Sequence, residues 1–282
     1  MIVSAKARVA GVMGWPVGHS LSPRLHGFWL QHYGLDGAYI PLPVQPDSIE
    51  QALRALPKLG FSGVNLTIPH KETSMKVFDK VDDLASRIGA ASVVVVHEDG
   101  SLEGRNADGY GFIENLKAGA PSWNPAAGPA VMFGSGGAAR AVIVALVDAG
   151  VPSIRLANRT RSRAQGLADE FGPNIEVIDW DKRSEALDGA ALLVNTTSLG
   201  MSGQPPLEIS LDALPKGAVV TDIVYSPLMT DLLTAAEARG HVVVDGLGML
   251  LHQGKLGFDA FFGHFPEVTQ ELRDFVLAGR GK

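Results

Sequence analysis

Across 282 residues the chain carries a net charge of −6 with its basic residues scattered, so neither a nucleic acid nor a membrane surface is an expected partner. It has no cysteine, which excludes disulfides, thiol catalysis and cysteine-ligated zinc. The length suits two ordinary domains, no apolar run reaches the roughly 20 residues that cross a bilayer, and the opening MIVSAKARVAGV has no secretion-signal pattern, so a cytoplasmic enzyme is expected.

A buried strand is predicted over 9–13, running into GWPVGHSLSP at 14–23. Two hydroxyls, Ser20 and Ser22, stand there just before a proline suited to the first turn of a helix over 23–33. Ser22 fits an N-cap, whereas Ser20 has no such structural use. Strands over 38–44 and 63–66 around a helix over 48–56 give a β-α-β-α-β alternation, and hence a mostly parallel sheet. The last of them ends in NLTIPHK, 65–71, and open α/β sheets place ligands at the carboxyl ends of their strands. Lys71 begins a helix whose dipole it opposes, which leaves either a functional cation or a solvated side chain. A helix over 83–88 and a hairpin of strands 90–97 and 102–105 lead to GRNADGYG, 104–111. Asn106 and Asp108 stand there just before a helix to about residue 116, and Asp108 also fits that helix's first turn on electrostatic grounds. The stretch 117–129, KAGAPSWNPAAGP, lacks apolar periodicity and reads as a linker into a second domain.

A strand over 130–133 stops at Gly134, and helical spacing runs from Ala138 to 149. Gly134, Ser135, Gly136 and Gly137 form a turn that lets backbone approach a phosphate, with the helix N-terminus offering N–H groups; the same turn would also serve merely to join strand to helix. The next strand, 153–157, ends in Asn158, Arg159 and Thr160, followed by Arg161 and Arg163. An acidic side chain here would accept from the ribose of NAD, whereas guanidinium groups pair with the additional 2′-phosphate of NADP, so NADP is the expected cofactor. Helices over 162–171 and 230–239 and strands over 175–178, 192–194, 219–223 and 241–244 continue the alternation. Polar clusters NTTSLGM, 195–201, and DIVYSP, 222–227, follow two of these strands. A closing helix opens at 245–253 and carries Phe258, Phe261 and Phe262, expected as core. The eight histidines make no HExxH or histidine-carboxylate pattern, so no metal is expected.

Eight motifs in order, GHSLSP, NLTIPHK, GRNADGYG, GSGGAAR, NRT, NTTSLGM, DIVYSP and GLGMLLHQG, resemble those of the shikimate dehydrogenase family, and the resemblance spans 11–262. It implies an α/β chain with an N-terminal substrate-binding domain, 1–108, built on a mostly parallel sheet and completed by C-terminal helices in 246–282. A Rossmann-type NADP-binding domain, 109–245, would follow, with the site in the cleft between the two. The implied activity is the reversible reduction of 3-dehydroshikimate by NADPH to shikimate. Lys71 and Asp108 would be the catalytic pair, Ser20 and Ser22 would contact the substrate carboxylate, and Thr67, Asn106, Tyr225 and Gln253 would add hydrogen bonds. NADP contacts are implied for Gly134, Ser135, Gly136, Gly137, Ala138, Asn158, Arg159, Thr160, Arg163, Thr197, Gly246 and Met249. The chain departs from the family's usual GAVNT and NTD: it reads GAASV at 89–93, putting Ser92 where a substrate-binding asparagine is usual, and Asn106-Ala107-Asp108. Exchanging an amide for one hydroxyl keeps quinate or a related polyol acid open as substrate. A non-catalytic NADP-binding sensor is the alternative of another class. A monomer or homodimer is expected.

Overall fold

Apolar runs alternating with amphipathic helices build two separate sheets in the computed structural model, which describes residues 3–279. In chain order the first elements are β1 (Arg8–Gly14), α1 (Ser22–His32), β2 (Gly37–Pro43), α2 (Ile49–Ala55), β3 (Phe61–Leu66), α3 (His70–Thr73), β4 (Lys80–Val81), α4 (Asp83–Ile88), β5 (Val93–Val96) and β6 (Leu102–Arg105). There follow α5 (Asp108–Gly119), β7 (Ala130–Phe133), α6 (Gly137–Asp148), β8 (Ile154–Ala157), α7 (Arg161–Phe171), β9 (Ile175–Ile178), β10 (Leu192–Asn195), β11 (Val219–Asp222), α8 (Asp231–Ala238), β12 (Val242–Val244), α9 (Leu247–Phe262) and α10 (Gln270–Leu277). The chain divides into one unit of the described residues up to Asp108 and from Leu250 onward, and another of Gly109–Met249.

The first unit holds a six-stranded sheet in the order β2-β1-β3-β5-β6-β4. β1 runs parallel to both β2 and β3, and β4 parallel to β6; the β5–β6 hairpin supplies the antiparallel pairings, because a tight turn returns the chain in the opposite direction. Phe258 and Phe261 of α9 are fully buried in this unit, with Phe258 edge-on to Trp29 of α1 at 5.3 Å, so these aromatics are core as expected.

The second unit holds a wholly parallel sheet, β12-β11-β10-β7-β8-β9. On the central strands, Ala130, Met132, Leu192 and Val194 enter one apolar cluster while Val131, Phe133 and Leu193 enter another. Burial on both faces explains why these strands read as unbroken apolar runs rather than alternating ones. Strand order reverses between β7 and β10, and the carboxyl ends beside such a reversal are where an open sheet leaves a ligand crevice.

The stretch 117–129 is not a linker. α5 continues to Gly119, and Leu116, Ala120 and Trp123 pack on the second unit's core, which anchors a segment whose prolines and glycines mask its few apolar residues. Among the described residues no helix is long and apolar enough to cross a membrane, and no cluster of potential metal ligands is present.

Candidate active site

β3 and β5 bring the polar loops of the first unit together at the end of the sheet. Lys71, at the second position of α3, places Nζ 2.7 Å from Oδ2 of Asp108, which heads α5. The lysine side chain is 15% exposed and the aspartate 0%, so this is a largely desolvated pair and neither a solvated lysine nor a simple dipole carboxylate. The loop before Asp108 is pinned atom by atom. Asn106 donates from Nδ2 to the Ala90 carbonyl at 2.8 Å and accepts the Asp108 N–H at 2.9 Å, while Ser92 Oγ accepts the Ala107 N–H at 2.9 Å. Among the described residues, neither Asp108 Oδ1 nor Gln253 Oε1, both buried, has a hydrogen-bond partner. Two unmatched acceptors in one unit call for donors from outside, and the hydroxyls of a polyol supply that chemistry.

The same geometry qualifies two sequence expectations. α1 begins at Ser22 itself, with Leu21 in the capping position and no side-chain cap, so the Ser22 hydroxyl is not consumed as an N-cap. Its backbone N–H donates to Ser20 Oγ at 3.3 Å, which ties the two serines together. Ser92, expected at the substrate, is first of all the acceptor that holds the Asp108 loop, and its own proton is the only donor it has left to offer. Asn65, not among the residues the sequence singles out, receives Tyr39 Oη–H at 2.7 Å and donates to the Ser92 carbonyl at 3.1 Å. A lone asparagine within a strand has no periodic signature, and only its place in NLTIPHK pointed to it. Thr67 is half-buried one residue beyond β3, its N–H bonded to the Met13 carbonyl at 2.9 Å.

In the second unit, Gly134 adopts φ +113°, and a Cβ there would lie 2.5 Å from Thr196 Oγ1, so glycine is required at the end of β7. Ser135 is buried, and a Cβ on Gly136 would meet nothing within 4 Å, which leaves room over the turn. α6 starts at Gly137 with no side-chain cap, so its first N–H groups, that of Ala138 among them, remain for an anion. Asn158 closes the next turn onto the Thr160 carbonyl at 2.9 Å. Arg159 and Arg163 are exposed and have no ion pair among the described residues, whereas Arg161 is held by Asp179 at 2.5 Å. A dinucleotide with a 2′-phosphate fits this set: a turn with space above it, open N–H groups and two uncommitted guanidiniums.

The remaining expected cofactor residues sit deeper. Gly246 packs against the Ile223 carbonyl, too close for any side chain, and Met249 is in the core. Thr197 donates its hydroxyl to Asn195 Oδ1 at 2.7 Å. Asn195 in turn donates to Asp222 Oδ1 at 3.0 Å, which also accepts from the Val224 N–H, while Thr230 donates to Oδ2 at 2.9 Å. Tyr225 is half-buried three residues beyond Asp222. Burial pushes the Asp222 carboxyl up to about 6 against these hydrogen bonds. A carboxyl raised on folding stabilises the native state fully below its ordinary value near 3.8, and that contribution is lost as pH rises through about 6. The difference amounts to about 3 kcal/mol, most of it lost between pH 4 and pH 7. Asp222→Asn keeps a matched partner for Thr230 and removes the titration. Denaturant unfolding at several pH values is therefore expected to show wild type losing stability relative to the variant across that window; parallel curves would refute it.

Residues 12–94 match the family model described as the shikimate dehydrogenase substrate binding domain, and 124–201 that for shikimate / quinate 5-dehydrogenase. A shikimate dehydrogenase (NADP(+)) from Paramagnetospirillum magneticum is 60% identical, over 98% of this chain and 100% of that protein. The structure of shikimate 5-dehydrogenase from Thermus thermophilus in complex with NADP(H) and shikimate is similar at TM-score 0.84 and 38% identity, covering 97% of this chain and 98% of that one. That of a quinate dehydrogenase from Corynebacterium glutamicum in complex with NAD gives TM-score 0.89 at 30% identity, covering 96% and 99%. With both family models in sequence and an alignment running nearly end to end, this chain belongs to the shikimate dehydrogenase family.

Proposed function

We infer that this protein catalyses the reversible NADP-dependent reduction of 3-dehydroshikimate to shikimate. The observation that carries the reading is the buried Lys71–Asp108 pair, closed on Oδ2 and open on Oδ1. NADPH, when bound, supplies a hydride to the ketone carbon. Lys71 then meets the negative charge that develops on the ketone oxygen and gives it a proton; in the reverse direction it takes that proton back. Asp108 Oδ2 aims the ammonium through the 2.7 Å bond, and Oδ1 accepts from a substrate hydroxyl. Ser20 and Ser22 receive the substrate carboxylate, and Thr67, Ser92, Asn106, Tyr225 and Gln253 complete its hydrogen bonds. The unit holding β1 to β6 thus binds substrate and the parallel-sheet unit binds NADP. This chemistry belongs in the cytoplasm, carried out by a monomer or homodimer.

Initial rates of oxidation of shikimate and of quinate, each with NADP and with NAD, test the assignment. High kcat/KM for shikimate with NADP alone is the expected result. Preferential turnover of quinate would favour the second reading, for which the observation is Ser92 in place of the family's asparagine. NADP binding with silence toward both acids would point to a sensor.

A further inference from the structure

Tyr39 lies on β2, the edge strand of the first sheet, and its ring is 7% exposed. In register it stands beside Ala10 of β1, which in turn stands beside Gly63 of β3. The small Ala10 side chain lets the phenol extend across β1 to Asn65 of β3, while the ring of Phe261 fills the space over Gly63. The other side of the ring is stacked on His26 of α1, with centroids 3.9 Å apart and planes 4° from parallel. His26 is itself buried, and burial lowers its pKa to about 3, so a neutral ring covers the phenol.

The direction of each hydrogen bond through Tyr39 follows from its neighbours. Asn65 Nδ2 donates to the Ser92 carbonyl at 3.1 Å, and a carbonyl can only accept, so the amide atom facing Tyr39 is oxygen. The single phenol proton is therefore committed to Asn65 Oδ1, at 2.7 Å. One polarised chain results, running from Tyr39 through Asn65 to the Ser92 carbonyl. It ends on the residue whose Oγ holds the Asp108 loop.

We propose that Tyr39 is a positioning residue for substrate binding, fixing the orientation of the Asn65 amide and, through it, of Ser92 from behind the site. The proposal rests on the functional reading above. Tyr39 touches neither Lys71 nor Asp108, and the bond from the Ala107 N–H to Ser92 Oγ does not involve the Ser92 carbonyl, so the effect falls on substrate affinity rather than on the chemical step. Without the phenol oxygen, the half-buried Asn65 Oδ1 loses its donor and the amide turns to find one, releasing the Ser92 carbonyl.

The test is steady-state kinetics of Tyr39→Phe with shikimate and NADP, alongside His26→Phe, which keeps an aromatic ring on Tyr39 and leaves the hydroxyl chain intact. Tyr39→Phe is expected to raise KM for shikimate about tenfold or more, with kcat within about threefold of wild type and NADPH affinity unchanged. His26→Phe is expected to stay within about twofold in KM. Replacing Tyr39 by 4-aminophenylalanine restores a donor on the same ring and is expected to recover most of the lost affinity; this variant carries the test if Tyr39→Phe does not fold. An unchanged KM in Tyr39→Phe, an equal rise in His26→Phe, a fall in kcat alone, or no recovery with the amino ring would each overturn the proposal. Wild type that fails to oxidise shikimate sinks the functional reading itself, a result distinct from all of these.

Discussion

Lys71→Ala is expected to lower kcat by about 10²-fold or more while NADPH still binds, because the residue that stabilises and protonates the developing alkoxide is gone. The structure adds a second consequence. Asp108 is 0% exposed and Lys71 is, among the described residues, its only cation at hydrogen-bond distance, so the variant strands a carboxylate in a dry place, a defect of about 3 to 5 kcal/mol. Thermal or denaturant unfolding should register that loss. Lys71→Ala combined with Asp108→Ala should recover much of the stability and none of the activity. Near-normal turnover in the single variant would remove Lys71 from the mechanism; a double variant no more stable than the single would remove the buried-charge argument.

Arg159→Ala is expected to cut kcat/KM with NADPH by about 10²-fold and with NADH by no more than about threefold. A guanidinium on a phosphate makes a charge-assisted contact worth about 1.5 to 3 kcal/mol, and NADH has no phosphate at that position. Arg161→Ala is the internal contrast, since its guanidinium is already engaged by Asp179 at 2.5 Å and should not change the preference between the two cofactors. Equal losses with NADPH and NADH in Arg159→Ala would show that this arginine acts on the fold of the turn rather than on the 2′-phosphate. A preference altered by Arg161→Ala would show that the Asp179 pair opens when cofactor binds.

Much of this protein was legible before folding was considered. Local patterns are short-range physics: apolar runs, glycine turns and helix starts need only neighbouring residues, so α4 and β9 match their predicted spans and most other elements fall within a few residues of theirs. The Gly134 turn was visible for the same reason, since a positive φ beside another strand's backbone admits only glycine. The stretch 117–129 misled because composition weighs prolines and glycines equally wherever they fall, whereas Ala120 and Trp123 find their partners only in three dimensions.

The sequence by itself determined the fold class, the family and which polar residues would gather at strand ends, because periodicity and ordered motifs survive without coordinates. Tertiary structure alone decided the use of each polar group. It joined Lys71 to Asp108 across 37 positions, left Oδ1 open, turned Ser92 into the support of that loop, and engaged Arg161 while sparing Arg159. It also brought in Asn65 and Tyr39, which sit 26 residues apart yet share one proton. The reason is that a hydrogen bond depends on distance and direction between groups far apart in the chain, and a sequence lists donors and acceptors without saying which of them meet.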